Sequence, residues 1–371
     1  MKSLASKARW AGSLVAAGVL LLTGAGASGV AAAEPVQGVG PVAGATVVGW
    51  RVLGLAVGPE GAKAYVVAAD RVGARSAVVL RTVDTATGAV LGQLTLAEDG
   101  TAGSPVVSPD GRRVYLVVSE QLVAVDTATN TVVSRTSAPD QPRPAGWSQG
   151  RLTGLAVSPD GSKVYLDQYG PEGAGEGVGT GRVLVFGAQQ GAFTGAVPVG
   201  GHTVDAIALQ AGGAGAYVST DQGLYHLDTT GAVPAVVGAV ARIGASGELA
   251  VSSDGLRLYA LGTQAGSGTG FEVNVIDDTA RPAFTFGSGW VDLHCVSVSP
   301  DGGRLYLLKD GWTPQASVLS YDTATNTAVP AETRTGFALD GVSAAAVVPG
   351  GHTLLVAGVR GDTAYLKAVQ L

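Results

Sequence analysis

The sequence predicts an all-β fold, built from seven copies of one unit of four antiparallel strands. Three observations carry this prediction. A stretch such as Ala156–Asp167, with the letters AVSPDGSKVYLD, recurs in related form at intervals of 42 to 52 residues. The runs on either side of its turn are short and rich in β-branched and aromatic residues, as strands are. Glycine is also very abundant, at 57 of 371 residues, which suits a chain with many tight turns.

Each copy begins with an apolar strand that ends in a tight turn. In the turn letters SPDG, proline presets the backbone angle φ of the first central position, and glycine adopts the left-handed conformation that closes the hairpin. The second strand follows, and the residue four places after the turn glycine is tyrosine in six copies. A side chain at one fixed place in nearly every copy indicates packing between units rather than ligand binding. The turn glycines are Gly61, Gly111, Gly161, Gly213, Gly255, Gly302 and Gly351.

The third strand of most copies ends in aspartate, and the letters DTATN or DTATG form a second turn. The aspartate side chain can accept hydrogen bonds from the backbone amides ahead of it, which makes Asp84, Asp126, Asp228 and Asp322 turn residues rather than catalytic acids. A fourth strand then completes the unit. Four antiparallel strands repeated every 40 to 50 residues are the signature of a β-propeller blade, so the sequence predicts a seven-bladed propeller.

The two ends of the chain are predicted to share one blade. The seventh copy has one strand fewer than the others, and an unassigned strand, Ala45–Val52, precedes the first complete copy. We expect this N-terminal strand to pair with the strand formed by Ala364–Leu371, which closes the ring and removes its open edges. Residues 45–371 would then form one propeller domain, and residues 34–44 a flexible lead-in.

Residues 1–33 have the pattern of a signal peptide. Lys2, Lys7 and Arg9 precede an apolar stretch, and small residues place the cleavage after Ala33. The apolar centre is short for a bilayer span of about 20 residues, so cleavage is favoured over the alternative, a retained membrane anchor. The pattern predicts Sec-type export and a secreted or cell-envelope, extracytoplasmic protein with no membrane span after cleavage.

Composition argues against several classes of function. Without the three basic residues of the signal peptide, 20 basic residues remain against 29 acidic ones, and this net charge of −9 argues against nucleic-acid binding. Cys295 is the single cysteine, so no intramolecular disulfide is expected. The histidines have no metal-ligand spacing, and no phosphate-binding loop or nucleophile elbow occurs. We therefore predict neither a metal nor a cofactor, and we expect a monomer.

The repeated motifs resemble those of a known family. The letters AVSPDG and VYL, followed in the second copy by VAVDTATNTVV, are similar to the YVTN-type β-propeller repeat of bacterial and archaeal secreted and surface-layer proteins. The second, third and sixth copies fit best. The fourth and fifth copies lack the turn proline, and the third replaces the DTAT turn. The resemblance covers nearly all of the chain after the signal peptide, and it implies an extracytoplasmic seven-bladed propeller, often without enzymatic activity.

Loop lengths indicate which face of the propeller carries the function. The turns between first and second strands, and between third and fourth strands, are short and alike, and they share one face. The long, irregular segments connect second to third strands, or one copy to the next, on the opposite face. Function concentrates on such loops. We call this side the long-loop face; its segments are Ser137–Gly154, Asp167–Arg182, Gly262–Gly270 and Lys309–Ser317.

Candidate ligand-binding residues lie in or beside these segments. Exposed tryptophan and tyrosine mark binding surfaces, and tryptophan faces also stack on sugars. Asp292 and His294 flank the first strand of the sixth copy, from which side chains can point toward the central channel. The alternatives are that each tryptophan caps a blade and that His294 is structural. The candidate site comprises Trp147, Tyr169, Trp290, Asp292, His294, Asp310 and Trp312.

Two functions remain open. The first is a secreted, non-catalytic recognition or scaffold propeller that binds a glycan, a peptide or an envelope protein through the long-loop face. The second is a propeller enzyme, such as a lactonase-like hydrolase or an oxidoreductase, with its site at the mouth of the channel. An enzyme would bring His, Arg and carboxylates with shifted pKa values together there, whereas a binder would present a broad aromatic surface of low charge. The sequence favours the binder.

Overall fold

The computed structural model describes residues 44–173, 179–242, 249–264, 267–274, 278–285, 292–310, 317–330, 334–335 and 339–371. The predicted signal peptide and all but the last residue of the predicted lead-in lie outside these ranges. Within them the chain forms an all-β propeller with no α-helix, so no helix of the described chain is long and apolar enough to cross a membrane.

Six blades of four antiparallel strands account for most of the chain. In blades 1 to 5 the strands lie side by side in chain order. Blade 1 contains β2 (Arg51–Val57), β3 (Lys63–Val72), β4 (Arg75–Asp84) and β5 (Val90–Ala97). Blade 2 contains β6 (Val106–Val107), β7 (Arg113–Val118), β8 (Gln121–Asp126) and β9 (Thr131–Ser137). Blade 3 contains β10 (Leu152–Val157), β11 (Lys163–Gln168), β12 (Arg182–Gly187) and β13 (Ala192–Pro198).

The second half of the chain continues this arrangement. Blade 4 contains β14 (Val204–Leu209), β15 (Gly215–Thr220), β16 (Gly223–Asp228) and β17 (Ala235–Ala241). Blade 5 contains β18 (Leu249–Val251), β19 (Arg257–Gln264), β20 (Ser267–Asn274) and β21 (Thr279–Thr285). The terminal blade contains β27 (Gly341–Val347), β28 (Thr353–Arg360), β29 (Thr363–Gln370) and, from the other end of the chain, β1 (Ala45–Gly49).

A further sheet lies between blade 5 and the terminal blade in chain order, and its outer side departs from the four-strand plan. It contains β22 (Asp292–Val298), β23 (Arg304–Asp310) and β24 (Ser317–Asp322). Two segments of two residues each, β25 (Thr327–Ala328) and β26 (Arg334–Thr335), both pair with β24. A propeller of antiparallel blades is therefore observed, with six regular blades and this less regular sheet.

The repeated tyrosines pack between sheets, as the sequence predicted. Tyr65 of blade 1 lies in one apolar cluster with Val114 and Leu116 of blade 2, and Tyr165 of blade 3 lies in one with Ala216 and Val218 of blade 4. All six residues are at least 95% buried. Packing of each aromatic ring against the next sheet joins neighbouring blades into one core.

Hydrogen bonds within the short turns explain why their letters repeat. In blade 2 the Ser108 hydroxyl donates to Asp110 Oδ1 at 2.6 Å, and the Arg113 amide donates to Ser108 Oγ at 2.9 Å. Gly111 adopts a φ of 70°, which only glycine tolerates without strain. The Thr127 hydroxyl then donates to the Gly111 carbonyl at 2.7 Å and ties the second turn to the first.

The N-terminal strand pairs with the last strand, over a shorter length than predicted. The register joins Ala45 to Lys367 and Gly49 to Ala364, with an irregularity after Val47. The prediction extended this strand to Val52, but the next strand of the chain, β2, begins at Arg51 and belongs to blade 1. Gly49, with a φ of 139°, turns the chain from one sheet to the other.

One predicted loop is wrong, and another begins later than predicted. The segment Gly262–Gly270 lies mostly within β19 and β20, which pair as far as Gln264 and Ser267. Its glycines and small polar residues suggested a loop, yet strand pairing satisfies their backbone groups. The segment predicted to begin at Asp167 instead starts after β11, because Asp167 and Gln168 are strand residues with buried side chains.

Candidate functional site

A cavity of about 690 Å³ lies where the first strands of blades 2 to 5 approach one another. First strands surround the central axis of a propeller, so this cavity is part of its channel. We call it the channel cavity. Its polar lining comes from Ser104, Thr153, Tyr169 and Asp205, and its remaining lining is mostly aliphatic. Tyr169 directly follows β11, which places it at the end of the cavity that opens on the long-loop face.

The Asp205 carboxylate is held in place by two hydroxyl groups. The Tyr169 hydroxyl donates to Asp205 Oδ1 at 2.7 Å, and the Thr203 hydroxyl donates to Asp205 Oδ2 at 2.9 Å. A carboxylate oxygen can accept more than one hydrogen bond, so both oxygens keep capacity for a ligand. Tyr169 and Asp205 are the titratable residues among those that line the cavity, and no described Lys, Arg or His lines it. The cavity therefore presents a preorganised, negatively charged acceptor of hydrogen bonds.

Two further ionisable side chains surround the Tyr169 ring. The Arg151 guanidinium lies 4.5 Å from the ring centroid, in cation–π contact, and the His202 ring meets it edge-on at 6.0 Å. His202 Nδ1 is 3.0 Å from the Gly179 carbonyl oxygen, and its Nε2 is 3.8 Å from a carboxylate oxygen of Glu172. Burial and the hydrogen bond to Asp205 raise the pKa of Tyr169 to about 12, so its hydroxyl remains a donor at neutral pH.

Asp167 lies beside this site and is wholly buried. Its exposure is 0%, and neither carboxylate oxygen has a hydrogen-bond partner in the described part of the chain. It projects from β11 on the side that faces blade 4, as do Tyr165 and Tyr169, because alternate strand residues share a face. Burial, and to a lesser extent the charge of Asp205, raises the pKa of Asp167 well above its ordinary value. Burial therefore favours the protonated, uncharged form of this carboxyl group over its ionised form.

Buried amides and a guanidinium fix the two long segments of blade 3. Gln141 Nε2 donates to the Tyr169 carbonyl at 3.0 Å, and Gln168 Nε2 donates to the Gly150 carbonyl at 2.8 Å. Arg182 Nε donates to Gln168 Oε1 at 2.7 Å, and its Nη2 donates to the Pro139 carbonyl at 2.6 Å. Because these side chains bridge separate segments, the backbone around Tyr169 is held rigidly despite its loop conformation.

Trp147 packs against a loop and does not line the cavity. A β-carbon placed on Gly173 would lie 2.5 Å from the Trp147 indole, so the ring covers this glycine closely. Ser148 and Glu172 form a β-bridge beside it, with the Ser148 amide donating to the Glu172 carbonyl at 2.7 Å. Trp147 therefore packs on the loop that contains Gly173.

The structure places the other predicted site residues as follows. Tyr169 lines the channel cavity and is central to the site. Asp292 and Asp310 are strand residues and direct partners in the register of β22 and β23, and His294 is paired with Leu308 two positions further along. Trp290 and Trp312 lie outside the described residues. Trp147 and Tyr169 are both on blade 3 segments, but only Tyr169 reaches the cavity.

Sequence reasoning missed Asp205, Thr153, Arg151 and Asp167. Asp205 and Thr153 lie in first strands that look like ordinary apolar strands, and Arg151 lies in a loop with no motif. Asp167 did carry a signal, because it stands two places after the repeated tyrosine. The other copies have Val67, Val117, Ser219, Leu261, Leu308 and Ala357 at that place.

The described residues contain no group of three or more His, Cys, Asp or Glu side chains that could hold a metal ion. What the channel cavity offers is one carboxylate, several hydroxyls and an aromatic edge against an aliphatic wall. Such a lining can hold a group that donates hydrogen bonds or carries positive charge.

Comparison with known proteins supports the fold. No family model matches the chain, and no curated protein matches its sequence. A solved structure of hydrazine synthase from Kuenenia stuttgartiensis is similar with a TM-score of 0.66 at 12% identity, over 91% of this chain and 99% of that chain. A protein of unknown function from Desulfotomaculum acetoxidans DSM 771 is similar with a TM-score of 0.57 at 13% identity, over 76% of this chain and 86% of that one. At such identities the similarity shows the fold alone.

Proposed function

We propose that this protein is an exported, monomeric recognition propeller that binds its ligand in the channel cavity, from the long-loop face, without chemical turnover. The ligand would be a group presented by a peptide, an envelope protein or a glycan. The observation that carries the proposal is the Asp205 carboxylate, which the Tyr169 and Thr203 hydroxyls hold at the cavity wall. Preorganisation of this kind lowers the entropic cost of binding.

The supporting segments strengthen the case for recognition. Tyr169 stands on a backbone that Gln141 holds from a second loop, and Arg182 ties that loop to β11 through Gln168. A ligand entering the cavity therefore meets a surface that is already in its bound shape. Rigid segments that border a cavity with few polar groups are typical of binding sites.

Catalysis at the same place is the second candidate. The Asp167 carboxyl group, whose pKa burial raises well above its ordinary value, lies near the Asp205 carboxylate. Pairs of carboxyl groups whose surroundings separate their pKa values perform acid–base chemistry in many hydrolases. A general acid must come within hydrogen-bond reach of the atom it protonates. Asp167 has no exposed atom, so recognition explains the arrangement better than a lactonase-like hydrolase or an oxidoreductase.

The test is a binding screen of the full chain against a peptide array and a glycan array, followed by affinity measurements on the best ligand. We expect Asp205→Asn to weaken binding by about 10- to 100-fold, since a charge-assisted hydrogen bond contributes roughly 1.5 to 3 kcal/mol. Asp160→Asn is the matched control, because Asp160 accepts a similar hydroxyl hydrogen bond from Ser158 in a short turn. Weaker binding with Asp160→Asn but not with Asp205→Asn would show that the ligand binds the face of the short turns instead. Turnover of a screened compound would favour the enzyme.

We further propose that seven blades form a closed ring and that the repeats belong to the YVTN-type family. The pairing of β1 with β29 and the seven turn glycines support both ideas. The basic and apolar pattern of residues 1–33 supports Sec-type export with cleavage after Ala33. N-terminal sequencing of the protein recovered from the culture medium or envelope fraction tests the export proposal.

A further inference from the structure

Asp167 is a charged residue type at a place where the repeat puts apolar or small residues. Two positions after the repeated tyrosine, the other sheets have only Val, Leu, Ala or Ser. The chain around Asp167 otherwise follows the repeat, with Leu166 and Val164 fully buried in the blade core. A polar group introduced at one packing position of an otherwise regular framework needs an explanation beyond folding.

The immediate surroundings of Asp167 give no internal partner. Both carboxylate oxygens are buried without a hydrogen bond to any described residue. Arg182, on the neighbouring strand β12, donates to Gln168 and to the carbonyls of Pro139 and Asp140. Burial of an unpaired carboxyl group costs free energy, so Asp167 lowers the stability of the folded protein.

Gly154 connects this carboxyl group to the channel cavity. A β-carbon on Gly154 would lie 2.7 Å from Asp167 Oδ2, which is closer than side chains pack. Gly154 also lines the cavity. The carboxyl group therefore fills the space left by the missing side chain of the cavity wall, and only backbone separates it from the cavity.

The charged and titratable groups around Asp167 come from three strands or their ends. Asp205 on β14 carries the negative charge that acts on Asp167, and Tyr169 at the end of β11 binds that carboxylate. Arg151, before β10, lies over the Tyr169 ring and is exposed, so solvent screens its charge. His202, before β14, meets Tyr169 edge-on. None of these groups makes a hydrogen bond to Asp167.

We propose that the channel cavity binds a positively charged group beside Asp205, and that Asp167 releases its proton to solvent when that group binds. The inference rests on the proposed ligand cavity and adds the class of ligand: an ammonium or guanidinium group. The O–H bond of the Asp167 carboxyl breaks, its proton goes to water or buffer, and the incoming cation replaces that positive charge. The site therefore keeps the same net charge before and after binding.

The direction of the exchange follows from electrostatics. A cation within a few ångströms of a carboxyl group favours the ionised form, and buried groups feel this effect strongly because water does not screen them. By linkage, binding that releases a proton becomes tighter as pH rises. The affinity for the cation should rise by up to tenfold per pH unit while Asp167 is neutral in the free protein, and should become constant above that range.

Titration calorimetry on the full chain provides the first test. The probes are propylamine for a free small molecule and N-acetyl-lysine methylamide for a peptide side chain, with N-acetyl-norleucine methylamide as the uncharged control. Measurements in phosphate and in MOPS, whose ionisation enthalpies differ, give the number of protons released. At neutral pH we expect between about half a proton and one proton per bound amine, no release with Asp167→Asn, and at least tenfold weaker binding with Asp205→Asn. The probe that binds more tightly identifies the source of the cation.

A second measurement observes the Asp167 carboxyl group directly, before and after addition of a ligand. Carbon-13 NMR of labelled aspartate carboxyl groups, with the Asp167 signal assigned by its loss in Asp167→Asn, should show Asp167 neutral at pH 7 and ionised after addition of a binding amine. An ionised Asp167 in the free protein, amine binding without proton release, or no amine binding overturns the inference. In the last case, a neutral ligand from the array screen that depends on Asp205 would leave the proposed function standing.

Discussion

At the level of single residues, the energetics of the site centre on the carboxyl group of Asp167. Its raised pKa means that the folded protein keeps a proton that the unfolded chain would release above the ordinary value of 3.8. The contribution of Asp167 to the free energy of unfolding therefore falls as pH rises from 3.8 toward its folded-state pKa, and it stays at its lowest value above that pKa.

Replacement of Asp167 by the residue that the repeat puts at the same place tests this cost. We expect Asp167→Val to raise the free energy of unfolding at pH 7 by about 1 to 3 kcal/mol, because a buried unpaired polar group is removed. Differential scanning calorimetry should show a higher Tm at pH 7 and a difference that shrinks toward pH 4. Val117→Asp, the reverse change at the same place of blade 2, should destabilise the protein. Equal Tm values for Asp167→Val and the parent at pH 7 would contradict this account.

At the level of strands and turns, the aspartates of the short turns, on the face opposite the long-loop face, have the opposite effect on how stability depends on pH. Backbone hydrogen bonds from Thr129, with the Arg113 guanidinium, lower the pKa of Asp126 to about 2. The Ser158 hydroxyl and the Ser162 amide lower the pKa of Asp160 to about 2. Since these values are depressed in the folded state, the turns contribute stability above pH 4 that is lost as pH falls through about 2.

This second pH dependence can be measured separately from the first. Thermal melting of the full chain between pH 5 and pH 2 should show a falling Tm, and Asp126→Asn or Asp160→Asn should make that fall less steep. The physical reason is that an asparagine side chain does not titrate in this range, so the contribution of the depressed carboxyl pKa is absent from these variants. Asp167→Val is a useful control, since its effect has the opposite sign over the same range. An unchanged slope in both turn variants would show that these carboxylates do not govern acid stability.

The turns explain why so much of the fold could be predicted from the sequence. Proline, aspartate and glycine at fixed places specify a local conformation, as the hydrogen bonds of Ser108 and Thr127 show. The ends of strands were harder to predict from the sequence, because Gly262–Gly270 has the composition of a loop but lies mostly in two paired strands. Composition alone does not distinguish a glycine in a turn from a glycine in a strand.

The candidate site could be predicted only in part. Loop length singled out Tyr169, which lines the channel cavity, since long segments depart visibly from the repeat. Asp205 and Thr153 lie in apolar first strands, and only the assembly of several blades brings them to one cavity. The tryptophan residues were selected for their type, but Trp147 packs on Gly173 instead of lining the cavity. Asp167 could have been found by aligning the seven copies and asking which position changes character.

At the level of the whole molecule, strand β1 joins the two ends of the described chain. Val48 on this strand is wholly buried in a cluster that also contains Val52 and Leu55 of blade 1 and Leu355 and Leu366 of the terminal blade. The strand therefore connects two sheets by packing as well as by backbone pairing. Val47, its neighbour, is 56% exposed on the opposite side.

Because Val48 is buried and its neighbour Val47 is exposed, the two residues provide a matched pair of variants that tests the packing of β1. We expect Val48→Asp to lower the free energy of unfolding by several kcal/mol, because it buries a charge among aliphatic side chains. Val47→Asp should change it by less than about 0.5 kcal/mol, as exposed substitutions usually do. Chemical denaturation followed by tyrosine and tryptophan fluorescence measures both. Similar losses in the two variants would mean that β1 is not packed as described.

The pairing of β1 with β29 also sets the order of events during biosynthesis. The ribosome makes Ala45–Gly49 first and the partner residues Ala364–Lys367 roughly 300 residues later, a delay of about 15 to 60 s at ordinary translation rates. Throughout that interval β29 is not yet available to pair with β1. A nascent chain that has not reached β29 therefore leaves β1 without its partner strand, open to chaperones and proteases.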